Sequence, residues 1–212
     1  MLLKTLKRNQ SDVKLRHLSS RNQLGTYLNS LGDFSVGAEL GVQSGAFSLV
    51  MLNTWKHCEK YYLVDIWAET KNYKDTANVA NGTQQHLMEQ AKTSLMRFAD
   101  KTVFIRGRTD EVVKQFANGS LDFVYVDARH DYCAVKTDLI QWWQKLRFGG
   151  ILAGHDYRSH EEVAPKQDWT LCENGSREPG AVKRAVDEFV NERALQLVVT
   201  ERDKSYIIRK PF

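Results

Sequence analysis

Ser35-Val-Gly-Ala-Glu-Leu-Gly-Val-Gln-Ser-Gly-Ala-Phe-Ser48 is the stretch on which the fold reading turns. Val36, Ala38 and Leu40 alternate as in a buried strand, which ends in the acid Glu39 beside Gly41. Gly45 then opens an amphipathic segment. The pattern is strand, tight turn and helix N-terminus, with a carboxylate at the strand's end. Glycine lets backbone approach a ligand closely, and free amides at a helix start can hold an anion.

Working outward, the same alternation repeats. A helix over 20–31 carries Leu24, Tyr27, Leu28 and Leu31 and stops at Gly32. Strand 36–40 is followed by helix 46–55, and the apolar run 61–66 is a second strand. Residues 67–82 read as polar loop, and 83–99 as a helix with Leu87, Ala91, Leu95 and Phe98 on one face. Strand 102–105, a short helix 111–117 and strand 121–126 come next. Val135, Leu139, Trp142 and Leu146 recur at helical spacing until Gly149-Gly150, which is expected to break that helix before strand 151–153. A long polar segment, 157–178, precedes a last helix (Val182, Ala185, Val186, Phe189, Val190), and 195–200 with 205–209 suits a hairpin.

Five β–α alternations with strands apolar on both faces predict an α/β fold: a mostly parallel, Rossmann-like sheet, helices on both faces and an antiparallel C-terminal edge hairpin. The reading gives a basic arm over 1–19 and one domain over 20–212. Such sheets bind ligands beyond the carboxyl ends of their strands. Those ends carry Glu39–Gly41, Asp65, Gly107-Arg108-Thr109, Asp127 with His130, and His155-Asp156. One polar strand end is ordinary helix capping, but five argue for one shared site. Asp65 stands where nucleoside-binding folds place an acid on the ribose hydroxyls.

Composition narrows the class. A net charge of +4, with basic residues dispersed apart from Lys4, Lys7 and Arg8, gives no nucleic-acid stripe. No apolar run is long enough to cross a bilayer, and the N-terminus lacks the apolar core of a signal peptide, so no membrane partner is expected. Cys58, Cys133 and Cys172 are odd in number and unclustered, which suggests reduced thiols and a cytoplasmic location. Oligomeric state is not readable.

Together Glu39-Leu-Gly41-Val-Gln-Ser-Gly45-Ala-Phe-Ser48, Asp127-Ala-Arg-His130-Asp131-Tyr132, Asp138-Leu139, Leu146-Arg-Phe-Gly-Gly150, His155-Asp156-Tyr157 and Gly180-to-Phe189 resemble class I S-adenosylmethionine-dependent methyltransferases. The nearest likeness is to metal-dependent small-molecule and sugar O-methyltransferases. The resemblance implies that Glu39, Gly41, Gly45 and Ser48 hold the methionine end of S-adenosylmethionine. Asp65 takes the ribose, Trp67 lies near the adenine, and Gly107, Arg108 and Thr109 line its other side. It further implies that Asp127, also at the cofactor edge, binds a divalent cation (Mg²⁺ or Mn²⁺) with His155 and Asp156, and that His130 is the general base, with Asp127 beside it in the catalytic pair. Gln43 replaces one glycine of the wider class, and His155-Asp156 stands where relatives more often have two acids or Asp–Asn; a histidine ligand suits Mn²⁺ better than Mg²⁺. The polar loops point to a polyhydroxylated small-molecule or glycan acceptor. A NAD-dependent dehydrogenase, or a non-catalytic module of a larger enzyme, remains as an alternative.

Overall fold

A computed structural model describes residues 15–212. Strands β1 (Val36–Leu40), β2 (Lys60–Asp65), β3 (Thr102–Arg106), β4 (Leu121–Val126), β5 (Leu146–Gly154), β6 (Leu197–Val199) and β7 (Tyr206–Arg209) form one sheet in the order β3-β2-β1-β4-β5-β7-β6. The first five are parallel, β7 runs antiparallel to β5, and β6 pairs antiparallel with β7. The expected Rossmann-like sheet with its antiparallel edge is therefore the observed one.

Successive residues on a strand face opposite layers, and here both faces are buried. Phe123 and Tyr125 of β4 enter one core with Leu24, Met51, Trp55 and Tyr61. Val124 and Val126 enter the other with Leu139, Trp142, Val186 and Phe189. Helices α1 (Leu24–Ser30), α2 (Ala46–Thr54) and α3 (Asn81–Ser94) serve the first layer, while the short α4 (Thr109–Val112), α5 (Tyr132–Lys145) and α6 (Ala181–Glu192) serve the second.

Register brings the strand ends level. Leu40 pairs with both Val64 and Val126, Val64 with Ile105, and Val126 with Gly154. Five carboxyl ends thus finish on one edge, with the change of winding direction at β1/β4, where open α/β sheets form their crevice.

Within the segment read as an arm, Leu15 and Leu18 are buried, and the Ser19 carbonyl accepts from the Arg202 amide at 3.1 Å. Residues 1–14, with Lys4, Lys7 and Arg8, lie outside the described residues. The pair Gly149-Gly150 does not separate helix from strand, because β5 already begins at Leu146. Gly149 has φ 75° inside the strand, a left-handed kink that glycine adopts without a Cβ penalty, and the β4–β5 register shifts between Leu121 and Phe123. The long polar segment 157–178 is tied to the rest of the fold. Its Asp168 amide donates to the Lys74 carbonyl at 2.9 Å, and Cys172 is disulfide-bonded to Cys133 at the start of α5. That pairing corrects the expectation of three reduced thiols; only Cys58 is free among the described residues. It also removes the ground for a cytosolic location, since disulfides persist in oxidising compartments. No helix among the described residues is long and apolar enough to cross a membrane.

Candidate active site

The edge opens into a cavity of about 590 Å³. Glu39, Gly41, Asp65, Gly107, Arg108, Thr109, Asp127 and His130 all line it. Groups drawn from four strand ends thus face one space.

The glycine turn is built differently from the sequence expectation. Gly41 has φ 87°, and a Cβ there would meet the Asp127 carbonyl oxygen at 1.9 Å, so the residue is glycine because the turn packs on the end of β4. Gly45 caps α2 at φ 77°, and its Cβ direction points at Ala91 of α3 rather than at the cavity. The turn's amides are already occupied: Val42 and Gln43 both donate to Asp65 Oδ2 at 2.8 Å, and the Trp67 amide donates to Oδ1 at 2.7 Å. Asp65 therefore shapes the turn as well as facing the cavity. Burial pushes its carboxyl up, against the pull of those three amides.

Two expected cofactor residues stand behind the wall. Ser48 is fully buried and donates to Glu39 Oε2 at 2.8 Å. Trp67 is fully buried, and its indole donates to the Gln43 carbonyl at 2.8 Å, so it braces the turn from below instead of lining the cavity. Burial pushes the Glu39 carboxyl up to about 8, although the Ser48 hydroxyl opposes this.

The other corner centres on His130, which is buried and stacked on Trp169 with ring centroids 4.5 Å apart. Its Nδ1 lies 3.1 Å from the Tyr73 hydroxyl and 3.3 Å from Asp75 Oδ2. Its Nε2 lies 3.4 Å from Asp127 Oδ1 and 3.6 Å from Asp156 Oδ2. Burial works against a charged imidazole, yet the carboxylates of Asp127, Asp75 and Asp156 outweigh it and push His130 up to about 10. Asp75 also accepts from the Trp169 indole at 2.5 Å and from Gln167 at 3.0 Å. Burial raises its carboxyl, but His130 and these donors prevail and lower it to about 2.

His155 is not where the cation reading needs it most. Its Nδ1 is 3.0 Å from Asp156 and 3.8 Å from Asp127, but neither His155 nor Asp156 lines the cavity. A trio whose donor atoms lie within 4.8 Å of one another is Asp127, His130 and Asp156. The imidazole in that trio is the residue expected to be the base.

Sequence reading missed four participants. Arg21 reaches from the N-terminal turn to Asp127 Oδ2 at 3.1 Å and the Tyr125 hydroxyl at 3.3 Å. Asp75 and Trp169 come from the two long segments and orient His130. Asp138, buried in α5 and facing the cavity, bonds to the Thr109 side chain, and burial pushes its carboxyl up to about 7. In the sequence Asp138 stands out only as part of a motif. Nothing local marks Arg21 or Asp75, and Trp169 reads only as a loop aromatic that could line a pocket.

The family described as a methyltransferase domain matches residues 38–157. Comparison with curated proteins finds no match. Among solved structures, a protein from Corynebacterium glutamicum is similar at 17% identity and TM-score 0.63, over 93% of this chain and 83% of that one. An O-methyltransferase from Bacillus cereus in complex with SAH is similar at 13% identity and TM-score 0.59, over 94% and 83%. The N-methyltransferase NodS from Bradyrhizobium japonicum, in complex with S-adenosyl-L-homocysteine, is similar at 17% identity and TM-score 0.55, over 91% and 86%. Likeness at this identity establishes the shared fold.

Proposed function

The chain belongs to the methyltransferase-domain family, and from that premise we propose that it is an S-adenosylmethionine-dependent O-methyltransferase acting on a hydroxyl of a small polyhydroxylated acceptor, a sugar or glycan. The observation that carries this reading is the convergence of Glu39, Asp65, Gly107–Thr109 and Asp127 on one cavity. Its volume suits a small-molecule ligand. Glu39 gives the test of fit: a fully buried carboxyl pushed up by desolvation gains from a cationic ligand group beside it.

When bound, S-adenosylmethionine supplies a methyl group on a positively charged sulfur, already a good electrophile. Glu39 and Asp127 would face its charged end, and Asp65 with Gly107–Thr109 its nucleoside. The remaining task of the chain is alignment and proton removal. His130 is built for the second: Asp75 and Tyr73 hold Nδ1, so Nε2 is directed at Asp127 and the acceptor side. Asp127 and Asp156 favour the protonated ring, so positive charge placed on those two carboxylates frees His130 to act as a base near neutral pH. Two carboxylates with an imidazole fit a divalent cation, Mn²⁺ better than Mg²⁺. In this reading His155 is the third donor. A second reading, favoured by the close trio Asp127, His130 and Asp156, makes His130 itself the ligand.

The sugar choice is supported by Thr70 and Asn174, hydrogen-bonding side chains that line the cavity. The deciding experiment is a methyl-transfer assay with labelled S-adenosylmethionine over sugars, macrolides, catechols and amines, with and without EDTA. Turnover of sugar hydroxyls is expected. Activity confined to flat aromatics overturns the acceptor, and activity on amines alone overturns O-methylation. Full activity in EDTA removes the cation.

A further inference from the structure

Among the described residues, Arg21 is the one cavity-lining arginine with nitrogens that have no partner. Arg108 sends its Nε and both terminal nitrogens to Asp110 and Glu173. Arg129 sends its Nε to Asp131 and its terminal nitrogens to the carbonyls of Lys71, Asn72 and Leu171. Arg21 uses only one terminal nitrogen, toward Asp127 and Tyr125. Its Nε and second terminal nitrogen have no partner among the described residues. A guanidinium carries five N–H donors in a planar fork that matches a carboxylate.

The side chain is also held in place. The Arg21 amide donates to Asp203 Oδ2 at 2.8 Å, and the Ser20 hydroxyl to the same oxygen at 2.7 Å, which ties the segment to the β6–β7 turn. The guanidinium carbon sits 5.0 Å from the centre of the Phe47 ring on α2. Such a donor loses little freedom on binding.

Charge decides what it would meet. At this end the wall carries Glu39 and Asp127, both acids. An α-amino acid tail bears an ammonium, which suits that wall, and a carboxylate, which does not. We propose that Arg21 receives the tail carboxylate of the methyl donor and so selects adenosyl ligands with an intact amino-acid end; this rests on the S-adenosylmethionine reading above.

The test is calorimetric titration of the full chain with S-adenosylmethionine and with its decarboxylated form, which keeps the sulfonium and the ammonium. Wild type is expected to prefer the intact ligand by about 10- to 100-fold, the scale of charge-assisted hydrogen bonds. In Arg21→Gln that preference collapses toward one while binding of the decarboxylated form changes by no more than about 3-fold. Arg21→Lys, which keeps the charge but not the fork, falls between them. An unchanged preference in Arg21→Gln, or equal loss of both ligands, overturns the proposal. Should Arg21→Gln not fold, Arg21→Lys and the wild-type ratio decide: equal binding of the two ligands by wild type, or a full preference in the lysine variant, overturns it. Wild type binding neither ligand sinks the S-adenosylmethionine reading itself, which is a different result from losing discrimination.

Discussion

The two corners of the cavity solve opposite problems. Around the glycine turn, polar groups are satisfied by the chain itself: Asp65 by three backbone amides, Glu39 by Ser48, Gln43 by the Trp67 indole. Around His130, one imidazole stands among the carboxylates of Asp75, Asp127 and Asp156, and a second, His155, lies against Asp156. The first corner is pre-organised and finished; the second is crowded with negative charge and responds to whatever cation or proton enters. Binding shape resides in one and reactivity in the other.

That contrast can be broken most forcefully at His130. His130→Ala is expected to lower kcat by about 10²- to 10⁴-fold with little change in affinity for S-adenosylhomocysteine. Steady-state rates alongside ligand titration check it, and equal losses in both would erase the division of labour. The reactive corner is roofed by the segment that Cys172 anchors. Cys172→Ser opens a 39-residue loop, for which the chain-entropy relation gives a loss of about 4 kcal/mol. Chemical denaturation with and without a reductant measures this, and reduction of wild type should approach the variant.

The finished corner should show itself in pH. The folded protein holds the Glu39 proton more tightly than the unfolded chain, about 8 against an ordinary 4.5. Its contribution is therefore greatest below about 4.5 and is lost as pH rises toward 8. Glu39→Gln should flatten that part of the stability–pH curve and gain on wild type at pH 8, at the expense of cofactor affinity. Denaturation midpoints across that range read it; parallel curves would mean that Glu39 is not desolvated. The smallest effect belongs to the partly exposed Arg108–Glu173 pair at the rim. Glu173→Gln should change stability by no more than about 1 kcal/mol, measurable by thermal melting.

The same contrast explains what the sequence could and could not tell. Parallel strands buried on both faces are continuous apolar runs, and each ended in a polar residue, so β1 to β5 and the edge bearing Glu39, Asp65, Asp127 and Asp156 were readable. The environment of each group was not. Arg21 meets Asp127 across 106 positions and His130 meets Asp75 across 55, and no local pattern records such contacts. Ser48, Gly45 and Trp67 sit in the right motif yet face away from the cavity, because a motif fixes backbone course before it fixes where a side chain points. The Cys133–Cys172 bond was hidden by an odd cysteine count, and the start of β5 by a glycine pair that looked like a helix stop.

The central claim is that the strand-end cavity takes an adenosyl ligand with a thioether or sulfonium tail. Titrating the purified protein with S-adenosylhomocysteine and, separately, with NAD tests it most directly. The account predicts saturable binding of the former and none of the latter; binding of NAD alone would contradict it.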